Sequence, residues 1–380
     1  MGRAIVVVMD AVGAGALPDA VAYGDPADAN TLAHLAEAVG GLDLPVLGSL
    51  GLGNIIDIAG VPPVAEPVIH GRLAAAGAGK DSTAGHWELM GVVSEVAQPT
   101  YPEGFPDELV ARLAEATGHA FCCNRPYSGV EVINDYGVHH LQTGELILYT
   151  SADSVLQIAA HTDKVPLEEL YRTCRIAREL TDVGRVIARP FQGEPGAFVR
   201  TADRKDLALQ PPGRSALEAL QGAGVPVHCV GKTRDLFAGV GVTDALPGAT
   251  NELSLANTTR LIREADGPSL IFTNLIETDQ IYGHRKDTAG FHAALRGIDA
   301  AVGEWLELLR DDDLLILTAD HGVDPYAPHT DHTREHVPLL AVAPGRPSAR
   351  HDGAMSDVGF TVVQFLTGAP DPSVPGRAFL

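Results

Sequence analysis

Three short apolar runs that each close on an acid constrain this chain more than any other feature. They are AIVVVMD (4–10), SLIFTNLIETD (269–279) and DLLILTADHG (313–322). A short β-branched run of this kind reads as a strand buried on both faces, as in a parallel sheet. In open α/β sheets the active site lies beyond the carboxyl ends of such strands. Asp10, Asp279 and Asp320 can therefore converge although they are far apart in sequence. Amphipathic segments separate the runs: NTLAHLAEAVG (30–40), with Asn30 as its cap and Gly40 as its stop, and FHAALRGIDAAVGEWLELLR (291–310). The alternation predicts an α/β core.

The middle of the chain has another texture. Strand-like ELILYTS and RVIARPF mix with the helical PLEELYRTCRIAREL, between the proline-rich flanks QPTYPEGFP and LQPPG. At 380 residues, about two domains are expected. We expect a discontinuous core, residues 1–98 and 214–380, and an inserted α+β cap domain, residues 99–213.

The net charge of −22 comes without a basic stripe, so nucleic acid is not an expected partner. No apolar run is long enough to span a bilayer, so a membrane is not expected either. The run Ile5 to Met9 is too short for a leader's apolar region and ends in Asp10. A cytoplasmic setting follows as the expectation. Cys122, Cys123, Cys174 and Cys229 form no CxxC pair, and no disulfide framework is expected.

Histidines follow the strand-end acids: His284 after Asp279, His321 beside Asp320, and His332 in TDHTREH. Taken singly, an Asp at a strand end is usually a cap and a His a satisfied polar group. Six so arranged point to metal, and carboxylate oxygens with imidazole nitrogens suit Mn²⁺ or Zn²⁺ better than Mg²⁺. His329, Asp331 and His336 are weaker candidates, as groups that orient ligands or as loop residues. In GKDSTAGHWELMG (79–91), a hydroxyl residue follows Asp81 and opens a helix near Thr83. A helix N-terminus favours phosphate, and an alkoxide beside a metal is an activated nucleophile. Ser82 and Thr83 are both possible at this point.

Along nearly its whole length the chain resembles the prokaryotic phosphopentomutases of the alkaline phosphatase superfamily. The matching stretches include VMDAVGAGALPDA, GKDSTAGHWE, YTSADSVLQIAAH, RVIARPF, GKTRDLF, YGHRKD, TADHG and TDHTREHVPLL. The resemblance implies an alkaline-phosphatase-like core with a mostly parallel sheet flanked by helices, a cap domain, two Mn²⁺ ions and a phosphorylated hydroxyl. It implies Asp10, Asp320 and His321 at one metal, with the nucleophile Ser82, and Asp279, His284 and His332 at the other. It also implies that Ser151 and Asp153 hold sugar hydroxyls, that Arg189, Arg200 and Arg204 bind phosphate, and that Lys232 faces the substrate. The partner would be a small sugar phosphate: ribose 1-phosphate or its 2-deoxy analogue, exchanged with the 5-phosphate through a 1,5-bisphosphate. The oligomeric state stays open.

The chain departs from the family pattern in several places. Ser82 stands where threonine is usual, which keeps Thr83 as an alternative nucleophile. Glu277 replaces an aspartate, Val323 an asparagine, His329 a glycine and His336 a tyrosine. Tyr127 stands in NRPYSGV where NKPASGT is usual. The six expected ligands are intact, so the changes bear on substrate choice. A mutase of another sugar phosphate, a metal-dependent phosphatase and an inactive metal-binding protein are the alternatives.

Overall fold

The computed structural model describes residues 2–151 and 154–380. They form two compact units, Met1–Ala97 with Pro211–Leu380, and Gln98–Gln210. In chain order the strands begin with β1 (Ala4–Met9), β2 (Ile69–Ala74), β3 (Phe121–Pro126), β4 (Leu146–Thr150) and β5 (Val155–His161). There follow β6 (Arg185–Gln192), β7 (Val199–Arg200), β8 (Lys205–Ala208), β9 (Val227–Val230) and β10 (Asp244–Leu246). Last come β11 (Leu270–Leu275), β12 (Leu314–Thr318), β13 (Val337–Val342) and β14 (Gly353–Ala354).

The first unit is built on an eight-stranded sheet in the order β10-β9-β11-β1-β12-β13-β2-β14. Its run from β10 to β12 is parallel, while β13 is antiparallel to both β12 and β2. Every residue of β1, β11 and β12 is buried, as expected for strands covered by helices on both faces. The fold is therefore the α/β, mostly parallel sheet flanked by helices that the sequence predicts. Among the described residues no helix is long and apolar enough to cross a membrane.

Three local features place the site. Val8 pairs with Thr318, so Asp10 and Asp320, each two residues further on, emerge level with one another. Ala11 then turns the chain with φ 63° and donates its N–H to Asp320 Oδ1 at 3.2 Å. An alanine held in the left-handed region stores on the order of 1–3 kcal/mol of strain. The third feature corrects the strand expected to run to Asp279, which stops at Leu275. Thr278–Gly283 forms a wide π-helical turn, closed by His284 N–H on the Asp279 carbonyl at 3.2 Å. Glu277 fixes its entry, accepting Asn251 N–H at 2.9 Å and donating its own N–H to Asn251 Oδ1 at 3.1 Å.

The second unit is a mixed sheet in the order β3-β4-β5-β6-β7, with β8 also paired to β6. One apolar cluster lies under the helices Asp107–Thr117 and Leu167–Leu180 and includes Leu113, Leu148, Ile158, Cys174 and Val186. The other, Ile147, Tyr149, Ala159, Phe191 and Phe198 with Val132 and Ile133, packs against the helix Glu131–Thr143.

Candidate active site

Four adjacent parallel strands, β9, β11, β1 and β12, end on the same side of the sheet. Just beyond those ends stand Lys232, Asp279, Asp10 and the pair Asp320-His321. The helix Ser82–Leu89 leans on this edge. Gly85 permits the approach, since a Cβ there would stand 2.2 Å from the Asp320 carbonyl oxygen. The helix begins one residue earlier than the sequence suggests. Asp81 is the cap, accepting Thr83 and Ala84 N–H at 2.9 and 3.1 Å, and Ser82 is the first helical residue.

The hydroxyl brought to the strand ends is that of Ser82. Its Oγ lies 3.1 Å from His321 Nε2 and 3.5 Å from Asp10 Oδ1, and it accepts from Lys232 Nζ at 2.8 Å. Thr83 enters this geometry through its backbone N–H. Lys232 also pairs with Asp10 Oδ2 at 2.5 Å, so it reaches the hydroxyl position itself. The preceding loop is clamped from below. Arg334 donates to the Gly77 and Gly79 carbonyls at 2.7 and 2.8 Å, and Lys80 pairs with buried Asp25 at 2.8 Å. His329 turns out to serve that clamp, with Nε2 3.0 Å from Asp25. His336 lies against the Gly15 carbonyl at 3.1 Å and Asp331 is exposed, so neither joins the acids.

Two groups of ligand atoms lie within 4.8 Å of one another: Asp10, Asp320 and His321, and Asp279, His321 and His332. His321 thus belongs to both, where the resemblance places it in one. His284 Nε2 and His332 Nε2 stand 3.3 and 3.4 Å from Asp279 Oδ1. The imidazoles are oriented from behind. His284 Nδ1 donates to the Thr330 carbonyl at 2.6 Å and His321 Nδ1 to the Gly322 carbonyl at 3.1 Å. A carbonyl only accepts, so each Nδ1 carries the proton and each Nε2 offers its lone pair inward, as metal-binding histidines do.

Burial and neighbouring charges shift the ionisation of the cluster. Burial and the neighbouring Asp320 charge push the Asp10 carboxyl well above its usual range. Burial works against ionisation of Asp320 and Asp279 too. His321 and His86 at Asp320, and His332 and His321 at Asp279, outweigh it and hold both below the usual range. Burial pushes the His321 imidazole down to about 4, and Asp279 overcomes burial to hold His332 at about 9. Among the described residues, Asp279 Oδ1, Asp320 Oδ2 and His332 Nε2 are buried and make no well-formed hydrogen bond, their nearest contacts being Asp279 with His284 at 3.3 Å and with His332 at 3.4 Å, and Asp320 with His86 Nδ1 at 3.1 Å. Buried polar atoms are rarely left so. Divalent cations held by these oxygens and nitrogens would satisfy all three, and the residues fit that group.

A further set, Cys122, His139 and Glu145, lies in the second unit and does not fit in the same way. His139 and Glu145 already satisfy one another at 2.7 Å, and burial with the Glu145 charge pushes the Cys122 thiol up to about 12.

Sequence reasoning missed a second row of residues. His86 Nδ1 donates to the Ser82 carbonyl at 2.8 Å, and its Nε2 accepts from Asn274 Nδ2 at 3.2 Å. Asn274 Nδ2 also donates to Asp10 Oδ2 at 2.9 Å. The available signals were the i, i+4 spacing of Ser82 and His86, which shares a helix face, and an asparagine inside an otherwise apolar buried strand.

The remaining expected substrate residues belong to the second unit. Ser151 directly follows β4, Arg189 and Arg200 lie on β6 and β7, and Arg204 directly precedes β8. Asp153 lies outside the described residues.

Known proteins resemble this chain over nearly its whole length. The model of the Metalloenzyme superfamily matches residues 2–369. A phosphopentomutase of Caldanaerobacter subterraneus subsp. tengcongensis is 46% identical over 376 residues, covering 97% of this chain and 95% of its relative. A phosphopentomutase of Anaeromyxobacter sp. strain K is 50% identical over 371 residues, covering 96% and 95%. The chain belongs to the phosphopentomutase family. Among solved structures, the fold is similar to that of Leishmania mexicana phosphoglycerate mutase. That likeness has a TM-score of 0.51 at 13% identity and covers 98% of this chain and 97% of the other.

Proposed function

We propose that this chain interconverts ribose 1-phosphate or 2-deoxyribose 1-phosphate with the corresponding 5-phosphate, with Ser82 as the phosphoryl carrier. One observation carries the reading. In a member of this family, a serine hydroxyl at a helix N-terminus sits on Lys232 and His321, beside buried and unsatisfied carboxylate and imidazole atoms.

In the resting form Ser82 Oγ carries the phosphoryl group. The P–Oγ bond breaks as the sugar 5-oxygen bonds to phosphorus, and the 5-hydroxyl proton ends on Ser82 Oγ, giving the 1,5-bisphosphate and a free serine. After the intermediate reorients, the bond from phosphorus to the sugar 1-oxygen breaks as Ser82 Oγ bonds to that phosphorus, the serine proton ends on the 1-oxygen, and the 5-phosphate leaves. Lys232, 2.8 Å from Ser82 Oγ, offsets negative charge on the transferred group and on the serine oxygen. The N-terminal end of the Ser82–Leu89 helix adds a favourable dipole. Asp10, Asp320, His321, Asp279, His284 and His332 would hold two divalent cations, most suitably Mn²⁺. When bound, these would act as Lewis acids on the attacking and leaving oxygens. In the second unit, Ser151 and Asp153 would meet the sugar hydroxyls, and Arg189, Arg200 and Arg204 a phosphate.

The test is a product assay by ³¹P NMR, with Mn²⁺, ribose 5-phosphate and a trace of a bisphosphate activator. Ribose 1-phosphate without inorganic phosphate is the expected result. Inorganic phosphate alone would make the protein a hydrolase. No reaction in a metal-loaded sample would move the search to another sugar phosphate.

A further inference from the structure

The segment TDHTREH, which supplies His332, also supplies a buried carboxylate, that of Glu335. In extended chain, successive side chains point to opposite sides. His332 accordingly faces the acids, and Arg334 the Gly77 and Gly79 carbonyls before Ser82. Thr333 and Glu335 point the other way, and both are buried. A carboxylate taken out of water must collect donors, and Glu335 collects four. Oε2 accepts Thr31 N–H at 2.9 Å and Gly15 N–H at 3.2 Å. Oε1 accepts the Thr31 hydroxyl at 2.7 Å and the Thr333 hydroxyl at 2.6 Å. None of these donors is a cation.

These bonds reach three segments that carry candidate ligands. Both hydroxyls accept in turn from the chain that follows His321: Thr31 from Val323 N–H at 2.9 Å, and Thr333 from Asp324 N–H at 3.1 Å. Gly322 and Thr333, which directly follow His321 and His332, exchange backbone hydrogen bonds at 2.8 and 3.2 Å. The two imidazole rings come to lie 3.9 Å apart between centroids. On its other side Glu335 forms a bridge with Ala16, in the loop that follows Asp10. Two glycines let the carboxylate nest between the loops. A Cβ at Gly13 would stand 2.2 Å from Glu335 Oε2, and one at Gly322 2.3 Å from Oε1. Only glycine allows so close an approach.

We propose that Glu335 is a positioning residue for the metal centre, whose carboxylate acts through the Thr31 and Thr333 hydroxyls to fix His321 against His332 and so sets the affinity for divalent cations. The inference rests on the reading of the six candidate ligands as a cation site and adds the group that spaces them. Ligands bind a cation tightly when they are held in place beforehand, because ordering them on binding costs free energy. A two-residue bridge by itself is a hinge between the His321 and His332 loops. Four bonds converging on one planar carboxylate remove that freedom, and they tie the loop after Asp10 to the same point.

The test uses the full chain and Mn²⁺, comparing wild type with Glu335→Gln, Thr333→Val and Thr333→Ser. Asp313→Asn serves as a control that lowers stability alone. Calorimetry reads the Mn²⁺ Kd, and electron paramagnetic resonance reads the bound ions, whose line shape depends on the distance between them. Glu335→Gln puts an amide nitrogen, which cannot accept, where one oxygen accepted two hydrogen bonds. Its Mn²⁺ Kd is expected to rise about tenfold or more, the usual effect of losing a group that orients ligands, with an altered line shape. Thr333→Val keeps the side-chain shape, deletes the hydroxyl and shifts both readouts the same way. Thr333→Ser keeps the hydroxyl and binds Mn²⁺ as wild type does. The double variant Glu335→Gln with Thr333→Val loses less than the product of the two single losses, as residues acting through one another do. Asp313→Asn melts lower and leaves Kd and line shape unchanged. A lower melting temperature with wild-type Kd and line shape in Glu335→Gln and Thr333→Val would overturn the proposal, as packing alone would explain it. Should Glu335→Gln fail to fold, a wild-type Kd in Thr333→Val overturns it by itself. Wild type that binds no Mn²⁺ would overturn the metal centre together with this inference. Wild type that binds Mn²⁺ while the variants bind it equally well would overturn the inference alone. The product assay judges the mutase reading separately.

Discussion

The Lys232 ammonium donates to the Ser82 hydroxyl at 2.8 Å, joining residues 150 positions apart in sequence. The same ammonium pairs with Asp10 at 2.5 Å, so a single cation bridges the candidate nucleophile and a buried acid. Removing it as Lys232→Met leaves the shape of the side chain and deletes the charge. The expected result is a fall in kcat of about a hundredfold or more, the usual size of a lost transition-state charge contact. Steady-state rates in the ³¹P assay check this, with circular dichroism to verify the fold.

Ser82→Ala is expected to abolish turnover and phosphoenzyme formation while leaving melting behaviour close to wild type. Thr83→Ala should retain both, because only the Thr83 backbone N–H enters the cap. Intact-mass measurement after incubation with a sugar bisphosphate reads the phosphoryl adduct directly. An adduct on Ser82→Ala that disappears in Thr83→Ala would transfer the role to Thr83.

His86 orients the acids in two ways, with Nδ1 3.1 Å from Asp320 Oδ2 and with Nε2 on Asn274, which bonds Asp10. His86→Leu removes that support while leaving every candidate ligand residue unchanged in identity. Groups that orient ligands typically contribute 10–100-fold in metal affinity. We expect a loss of that order in a chelator competition assay, with activity largely restored at high Mn²⁺. Unchanged affinity would show that the His86 row acts only in packing.

Far from the site, Arg3 and Asp313 form a fully buried pair at the start of β1. Asp313→Asn is expected to destabilise the protein by about 3–5 kcal/mol, because it strands a buried guanidinium. Burial alone would raise the Asp313 pKa, but Arg3 and the N–H groups of Arg310 and Arg3 hold it below the ordinary 3.8. A depressed folded-state value means the carboxylate stabilises fully above the ordinary value and loses that effect as pH falls through the folded one. Urea titrations at pH 7 and pH 3 should therefore show a smaller gap between wild type and variant at the lower pH.

Much of the core was legible because its signals are local. β-branched runs ending in acids marked β1, β11 and β12, and a parallel sheet needs only that pattern to bring strand ends together. The π-helical turn after β11 was not legible. It depends on Glu277 meeting Asn251 across 26 positions, and no short-range pattern encodes that pair. The role of His329 was hidden for the same reason, because its partner Asp25 lies at the other end of the chain.

By itself, the sequence determined which residue types stand at each strand end, since strand period and terminus are properties of a few neighbouring residues. It also specified the family through runs such as YTSADSV and GHWE. Only the tertiary structure decided that Ser82, rather than Thr83, presents its hydroxyl to Lys232, and that His321 lies within both ligand groups. Those outcomes depend on register and on the close approach of helix to sheet, which the packing of distant segments sets within an ångström.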